Sequence, residues 1–249
     1  MQILGVDIGG TGIKGAIVDI NKGELLTERY RILTPPSGKP RPMAKTVKEI
    51  VDHFQWNGPI GCGFPAAVRQ GMILTAANIH KIWIGTNVES LFAEVTGCPV
   101  KVINDADAAG LAEMTFGAGK DYTGVVLLIT IGTGLGTVLF TNGQLLPNAE
   151  LGHIEINGLD AEWKASDAAR KRDKLSWTKW GKRFNTYLSH LEALVWPDLI
   201  ILGGGSAKKF DKFSDCLKIQ TPVVVAEFLN EAGIVGGALA ARSLAKAEE

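Results

Sequence analysis

Two stretches of this sequence put a glycine-rich turn directly after an apolar run. Asp7-Ile8-Gly9-Gly10-Thr11-Gly12 follows Ile3–Val6, and Ile131-Gly132-Thr133-Gly134-Leu135-Gly136 follows Val125–Thr130. Backbone amides in such turns can hold phosphate oxygens, because no Cβ blocks the approach. Around the first turn, Asp7 could hold Mg²⁺ or its waters, Thr11 could donate to a phosphate, and Lys14 adds a positive charge. In the second, Thr133 and Gly134 occupy the equivalent place. One such turn says little. Two of them suggest a phosphate chain gripped from both sides.

Gly10 to Gly15 also matches GxGxxG, but a dinucleotide fold needs a helix after that turn. The residues that follow, Ala16-Ile17-Val18-Asp19-Ile20, are strand-like, which argues against a nicotinamide dehydrogenase. Asn104-Asp105 ends the apolar run Val100–Ile103. Ligands of open α/β sheets bind outside the carboxyl ends of strands. A carboxylate there can take the proton of an attacking hydroxyl as a phosphoryl group arrives. Asp107 is the rival, but at the start of a helix it reads better as a cap or dipole partner.

Glu150-Leu151-Gly152-His153, with Glu155 and Glu162 downstream, offers the carboxylates and imidazole that sugar hydroxyls need. A lone His is more often structural, and no cysteine follows before Cys216, so zinc is not expected here. Lys164 to Arg183 is basic and aromatic: Arg170, Lys171, Arg172, Lys174, Lys179 and Lys182 stand against Asp167 and Asp173, with Trp177 and Trp180 between them. That pattern fits either a solvated helix face or an electrostatic track for a long polyanion.

The elements that must position these groups follow from periodicity. Strands are expected at 2–8, 14–19 and near 25–32, with a turn at Asn21-Lys22-Gly23. A loop runs through Pro35, Pro36, Pro40 and Pro42, and Val47, Ile50, Val51 and Phe54 mark an amphipathic helix over 43–54. Strands at 60–64 and 100–103 flank a helix at 87–96, and an Ala-rich helix follows over 106–116. The grammar then repeats: a strand at 125–131, the second glycine turn, a return strand at 137–140, and an Asn142-Gly143 hairpin signal. A strand at 199–202 ends in Gly203-Gly204-Gly205, and a helix closes the chain from Ile234 to Ala247. Strand, glycine turn, strand occurs twice, so two related α/β lobes with a cleft between them are expected. They are residues 1–103 with the C-terminal helix at about 234–249, and residues 104–233.

Composition bounds the partners. The 249 residues carry 26 Lys+Arg and 26 Asp+Glu, and 46% are hydrophobic. With no net field, nucleic acid and acidic membranes are not expected partners. No run of about 18 apolar residues is present to span a bilayer. The start of the chain reads as a strand rather than a signal peptide. Cys62, Cys98 and Cys216 lack CxxC spacing, which fits a reducing cytoplasm.

Taken together, Asp7–Lys14, Asn104-Asp105, Gly132–Gly136, Glu150–His153 and Gly203–Gly205 resemble the ROK family of sugar kinases, over nearly the whole chain and in the family's order. Gly10–Ala16, Phe64–Ala67 and Thr75–Ile79 are most similar to its polyphosphate-using glucokinase branch. The resemblance implies an actin-like, ribonuclease-H-like ATPase fold and a homodimer. It implies transfer of a phosphoryl group to the 6-hydroxyl of glucose, with Mg²⁺ and with polyphosphate, ATP or both as donor. It makes Asp105 the base, and places Asn104, Glu150, His153 and Glu162 on the sugar, with Glu162 ahead of Glu155. Gly203–Gly205 would build an adenine pocket. Arg170, Lys171, Arg172 and Lys174 would belong to a polyphosphate track. Many family members carry a cysteine-rich zinc motif between that His and that Glu. Ile154–Ala161 has no cysteine, so His153 should be held by hydrogen bonds instead. A DNA-binding domain like that of the family's repressors is not expected before the first strand. An ATP-specific hexokinase and a non-catalytic sugar-binding regulator are the alternatives.

Overall fold

The computed structural model describes residues 1–77 and 79–245, so Asn78 of the Thr75–Ile79 motif lies outside the described residues. The chain divides into two compact units: Met1–Phe116 with the segment from Glu231 onward, and Gly117–Asn230.

In the first unit, β1 (Gln2–Ile8) and β2 (Ile13–Asp19) form one antiparallel hairpin around the first glycine turn, with Asp7 opposite Lys14. The single strand expected near 25–32 is two short ones, β3 (Glu24–Leu25) and β4 (Tyr30–Ile32), both on β2. Between them the chain leaves the ladder, and the Thr27 hydroxyl accepts the Ile17 N–H at 3.0 Å. Next, α1 (Pro40–His53) starts earlier than its apolar stripe, because prolines fit a first turn whose N–H groups have no helical partner. It buries Met43, Val47, Ile50 and Val51. The wholly buried β5 (Ile60–Phe64) runs parallel to β1. A small hairpin, β6 (Val68–Arg69) and β7 (Met72–Ile73), has no counterpart in the sequence reading. Next, α2 (Val88–Thr96) is capped by the Asn87 side chain and closed by Gly97 at φ +77°. Finally β8 (Val100–Asn104) pairs parallel to β5 and runs straight into α3 (Asp105–Phe116). The sheet order is β3-β2-β1-β5-β8, with β4 also on β2.

The second unit repeats the pairing. A hairpin of β9 (Val125–Ile131) and β10 (Leu135–Thr141) encloses the second glycine turn. Asn142 and Gly143, both at positive φ, turn the chain into β11 (Gln144–Leu146). A second hairpin, β12 (Glu155–Ile156) and β13 (Leu159–Asp160), uses Asn157-Gly158 in the same way. Then come α4 (Ala161–Ala165), α5 (Asp167–Arg172) and α6 (Trp177–Val195). Trp180, Phe184, Tyr187, Leu188 and Leu191 of α6 are buried against the sheet. Buried β14 (Leu199–Gly203) lies parallel to β9, and β15 (Val223–Val225) completes the order β11-β10-β9-β14-β15. So β2-β1-β5 and β10-β9-β14 share one pattern, an antiparallel hairpin followed by a parallel neighbour.

The chain closes with α7 (Ala232–Ala240) and α8 (Arg242–Ala245); Lys246 and Ala247 of the expected helix lie outside the described residues. The first unit keeps α3, so the break falls after Phe116 rather than after Ile103, and the chain rejoins that unit at Glu231. Small residues make α3 and α7 inseparable. A Cβ on Gly236 would lie 1.6 Å from the Ala108 carbonyl oxygen. On the sheet side, a Cβ on Gly61 would lie 1.9 Å from the Gly237 oxygen, and one on Gly5 2.1 Å from the Ile234 oxygen. Among the described residues no helix is long and apolar enough to cross a membrane.

Candidate active site

The site residues fall into a set on each unit. On the first unit the glycine turn is short: the Gly9 N–H donates to the Gly12 oxygen at 3.1 Å. Asp7 is partly exposed at the end of β1, and Lys14 Nζ lies 3.1 Å from its Oδ2. The lysine expected to add charge to the turn is therefore matched by a carboxylate. From the β4 side, Thr34 donates its hydroxyl to the Gly9 oxygen at 2.5 Å, and Arg31 Nη2 donates to the Thr11 oxygen at 3.0 Å. Neither residue carried a signal in the sequence beyond its type.

Asn104 and Asp105 sit where β8 becomes α3. Asn104 Oδ1 accepts the N–H groups of Ala106 at 2.8 Å and Asp107 at 3.1 Å, and its amide donates to the Ala66 oxygen at 3.2 Å. That is helix capping, which explains why an Asn stands at this turn. The second amide N–H is spent neither on the cap nor on Ala66. Asp105 also accepts from the Ala106 N–H at 2.9 Å and is half-buried. Asp107 is 1% exposed. Of the two carboxylates, Asp105 is the more exposed.

On the second unit a carboxylate joins the turn to the sugar-type residues. Gly132 N–H donates to the Gly134 oxygen at 3.0 Å. Glu162, on α4, accepts the Leu135 N–H through Oε2 at 2.8 Å, and a Cβ on Gly134 would lie 2.2 Å from that oxygen. Gly134 is thus a seat for Glu162. Gly152 is as tightly placed, since a Cβ there would lie 2.1 Å from the Leu135 oxygen. The Glu150–His153 segment and Glu162 therefore meet at Leu135. Thr133 is exposed at the tip.

His153 is held by a hydrogen bond, as the missing cysteines implied. Its Nδ1 lies 2.8 Å from Asp160 Oδ2, and its Nε2 lies 3.9 Å from Glu150 Oε2. The Asp160 bond, aided by the nearby charges of Glu162 and Glu150, raises the His153 pKa against the opposing effect of burial. Asp160 caps α4 with its other oxygen, accepting the Glu162 N–H at 2.9 Å. One aspartate thus sets both His153 and Glu162. Asp160, just ahead of the Ala161-Glu162 start of a short helix, was the available capping signal. Glu155 is exposed on β12.

Gly203-Gly204-Gly205 leads out of β14. Gly204 has φ +78°, and a Cβ there would lie 2.6 Å from the Ile131 oxygen, so only glycine suits it. Gly205 has open space around it.

The basic stretch is cross-braced. Asp167 takes Arg170 and Lys171, each at 2.7 Å. Burial alone would raise the Asp167 carboxyl pKa, but these two cations bring it below the usual range. Asp173 takes Arg172 at 2.9 Å and Arg183 at 2.6 Å, which hold it well below the usual range. Arg172 also stacks over Trp163 and Arg170 over Trp177, both at 4.0 Å. Trp180 is fully buried, so it serves the core. Lys174 is exposed.

A divalent cation at the Asp7 corner would meet a single carboxylate, shared with Lys14, and would keep most of its water shell. Asp7 is one carboxylate beside a lysine, and among the described residues no three His, Cys, Asp or Glu side chains cluster to hold a metal. Mg²⁺ keeps several waters and is commonly bound by one or two carboxylates plus substrate phosphates.

Two parallel-extended hairpin sheets, each with a glycine turn, define an actin-like ATPase fold of the sugar-kinase class. The match to the ROK family model covers residues 3–171, and the chain belongs to that family. It is 46% identical over 237 residues to a polyphosphate glucokinase of Mycobacterium tuberculosis (strain CDC 1551 / Oshkosh), covering 95% of this chain and 89% of that one. The crystal structure of an inorganic polyphosphate/ATP-glucomannokinase from Arthrobacter sp. strain KM superposes with a TM-score of 0.92 at 47% identity, covering 96% and 97% of the two chains. A ROK family glucokinase from Streptomyces griseus, solved with glucose and AMPPNP, shares the fold at 24% identity, TM-score 0.83, and 98% and 100% coverage.

Proposed function

We propose that this protein is a glucokinase that transfers the terminal phosphoryl group of inorganic polyphosphate, and also of ATP, to the 6-hydroxyl of glucose. The observation that carries this reading is the likeness, at 46–47% identity over nearly the full chain, to kinases named for polyphosphate and glucose or mannose.

The residues supply a mechanism. Asp105 accepts the proton of the glucose 6-hydroxyl. The freed oxygen then bonds to the terminal phosphorus as the bond to the rest of the donor breaks, leaving a shorter polyphosphate or ADP. Asn104 offers its remaining amide hydrogen to the sugar. Glu150, His153 and Glu162 accept and donate to the other hydroxyls, with Asp160 holding His153. Gly10, Thr11 and Gly12 receive donor phosphates through backbone N–H groups, as do Thr133 and Gly134, while Gly9 closes the turn with its own N–H on the Gly12 oxygen. Mg²⁺ would neutralise charge on those phosphates, and Asp7 would hold its waters. Gly203, Gly204 and Gly205 are the proposed place for an adenine. Arg170, Lys171, Arg172 and Lys174 remain the proposed polyphosphate track, with Lys174 the member clear of the internal ion pairs. Resemblance to the family supports a homodimer, and the cysteine pattern supports a cytoplasmic location.

The deciding assay incubates the protein with glucose, Mg²⁺ and either ATP or long-chain polyphosphate, and measures glucose 6-phosphate. Product with polyphosphate is expected. Product with ATP alone would favour an ATP-specific hexokinase. No product with either donor would leave a sugar-binding regulator and end the kinase reading.

A further inference from the structure

The first glycine turn has a second cation beside it. Lys14, the basic residue within the motif, is 3.1 Å from Asp7 Oδ2, so its charge is locally compensated. Arg31 stands directly across the β2–β4 ladder from Lys14 and is exposed. Opposite residues of an antiparallel pair put their side chains on the same face. No carboxylate lies within ion-pair distance of Arg31 among the described residues.

Its guanidinium lies close against the turn. A Cβ on Gly12 would sit 2.6 Å from Arg31 Nε and 2.8 Å from Nη2. Gly12 is not at positive φ, so the glycine at this position makes room for the guanidinium. One N–H is spent on the Thr11 oxygen at 3.0 Å, which fixes the group in place. A guanidinium has five N–H donors in a planar fork that matches phosphate geometry. Four remain, at the lip of a turn whose own backbone amides suit phosphate oxygens.

We propose that Arg31 contacts the phosphates of the phosphoryl donor at the first glycine turn and is the main source of positive charge there. This rests on the kinase reading above. The turn serves the end of the phosphate chain that polyphosphate and ATP have in common, so Arg31 acts on both donors. In this it differs from the Lys164–Arg183 stretch, whose loss should weaken polyphosphate alone.

The test is steady-state kinetics of the full chain with glucose and Mg²⁺, comparing Arg31→Gln and Arg31→Lys with the parent. Arg31→Gln is expected to raise KM for polyphosphate and for ATP by about tenfold each, the scale of one charge-assisted hydrogen bond. KM for glucose and the thermal midpoint should stay near those of the parent. Arg31→Lys should recover part of the loss, because it keeps the charge but not the fork. The polyphosphate KM of Arg31→Gln should also rise less steeply with added salt, since one screened contact is gone. Donor KM values within twofold of the parent would overturn the proposal. So would a loss that tracks a lowered thermal midpoint, which would make Arg31 only a strap on the Thr11 oxygen. A rise with one donor alone would place Arg31 outside the shared phosphate seat and overturn it too. If the parent itself makes no glucose 6-phosphate with either donor, the kinase reading fails first, which is a different result.

Discussion

Gly134→Ala isolates the link between the second glycine turn and the sugar-type residues. Gly134 is not at positive φ, so alanine brings no backbone strain. Its new methyl would start 2.2 Å from Glu162 Oε2, while ordinary contacts lie at about 3.5–4.0 Å. The carboxylate must therefore move by over about 1 Å. Its 2.8 Å bond from the Leu135 N–H would then stretch past hydrogen-bonding range. A hydrogen bond to a charged group is worth about 1.5–3 kcal/mol, or roughly 10- to 150-fold in an equilibrium or rate. Glu162 is partly exposed, so the lower end applies, and kcat/KM for glucose should fall about tenfold. The thermal midpoint should move little, because Gly134 lies at a surface turn. In Glu162→Gln the same alanine should cost much less, since the two changes act through one group. The assay is glucose-dependent kinetics of both single variants and the double variant. Fully additive losses, or a Gly134→Ala enzyme within twofold of the parent, would refute the coupling.

Three further outcomes are expected. Asp105→Asn should lower turnover by about 10²- to 10⁴-fold, the usual worth of a general base, with an unchanged circular dichroism spectrum; a loss below about tenfold, or ~1.4 kcal/mol of barrier, would remove Asp105 from that role. Asp160→Asn should return the His153 pKa towards its ordinary value, as read by imidazole proton shifts in NMR. His153 has a raised folded-state pKa, so its contribution to stability is full below the unfolded pKa and is lost as pH rises through the folded one; Asp160→Asn should erase that window, and an unmoved titration would contradict the assigned bond. Gly236→Ala should destabilise the protein by about 1–3 kcal/mol in urea unfolding, because backbone overlap with Ala108 outweighs the ~1 kcal/mol that alanine gains in a helix; a variant as stable as the parent would mean that α3 and α7 separate freely.

The strands and most helices were legible because their signals are local. Burial on both faces makes Ile60–Phe64 and Leu199–Leu202 continuous apolar runs, and Asn142-Gly143 carries its own turn chemistry. The glycine motifs and the ordered set of Asp, Asn, Glu and His residues were legible for the same reason. What escaped depends on pairing across distance. Nothing in the segment before Arg31 says that it will lie against Gly12, or that Lys14 will meet Asp7 first. Asn104 reads as a ligand in sequence, and only the β8–α3 junction reveals its work as a cap. The basic stretch fits both a solvated helix face and a polyanion track in sequence, and which cations Asp167 and Asp173 engage shows only once the helices are formed. The α3–α7 packing escaped for another reason. Its glycines resemble helix breakers until a partner backbone needs their space.

That packing has a consequence for how the protein is made. The ribosome delivers β1, β5 and α3 first, but the helix that fits against Gly5, Gly61 and Ala108 is translated only after residues 117–230. Residues 117–230 can complete their own core while the older part of the chain still waits with an apolar surface uncovered. During that interval the nascent protein is exposed to proteases and to self-association, as partly folded chains are. Loss of α7 would thus do more harm than its length suggests, because it makes the delay permanent.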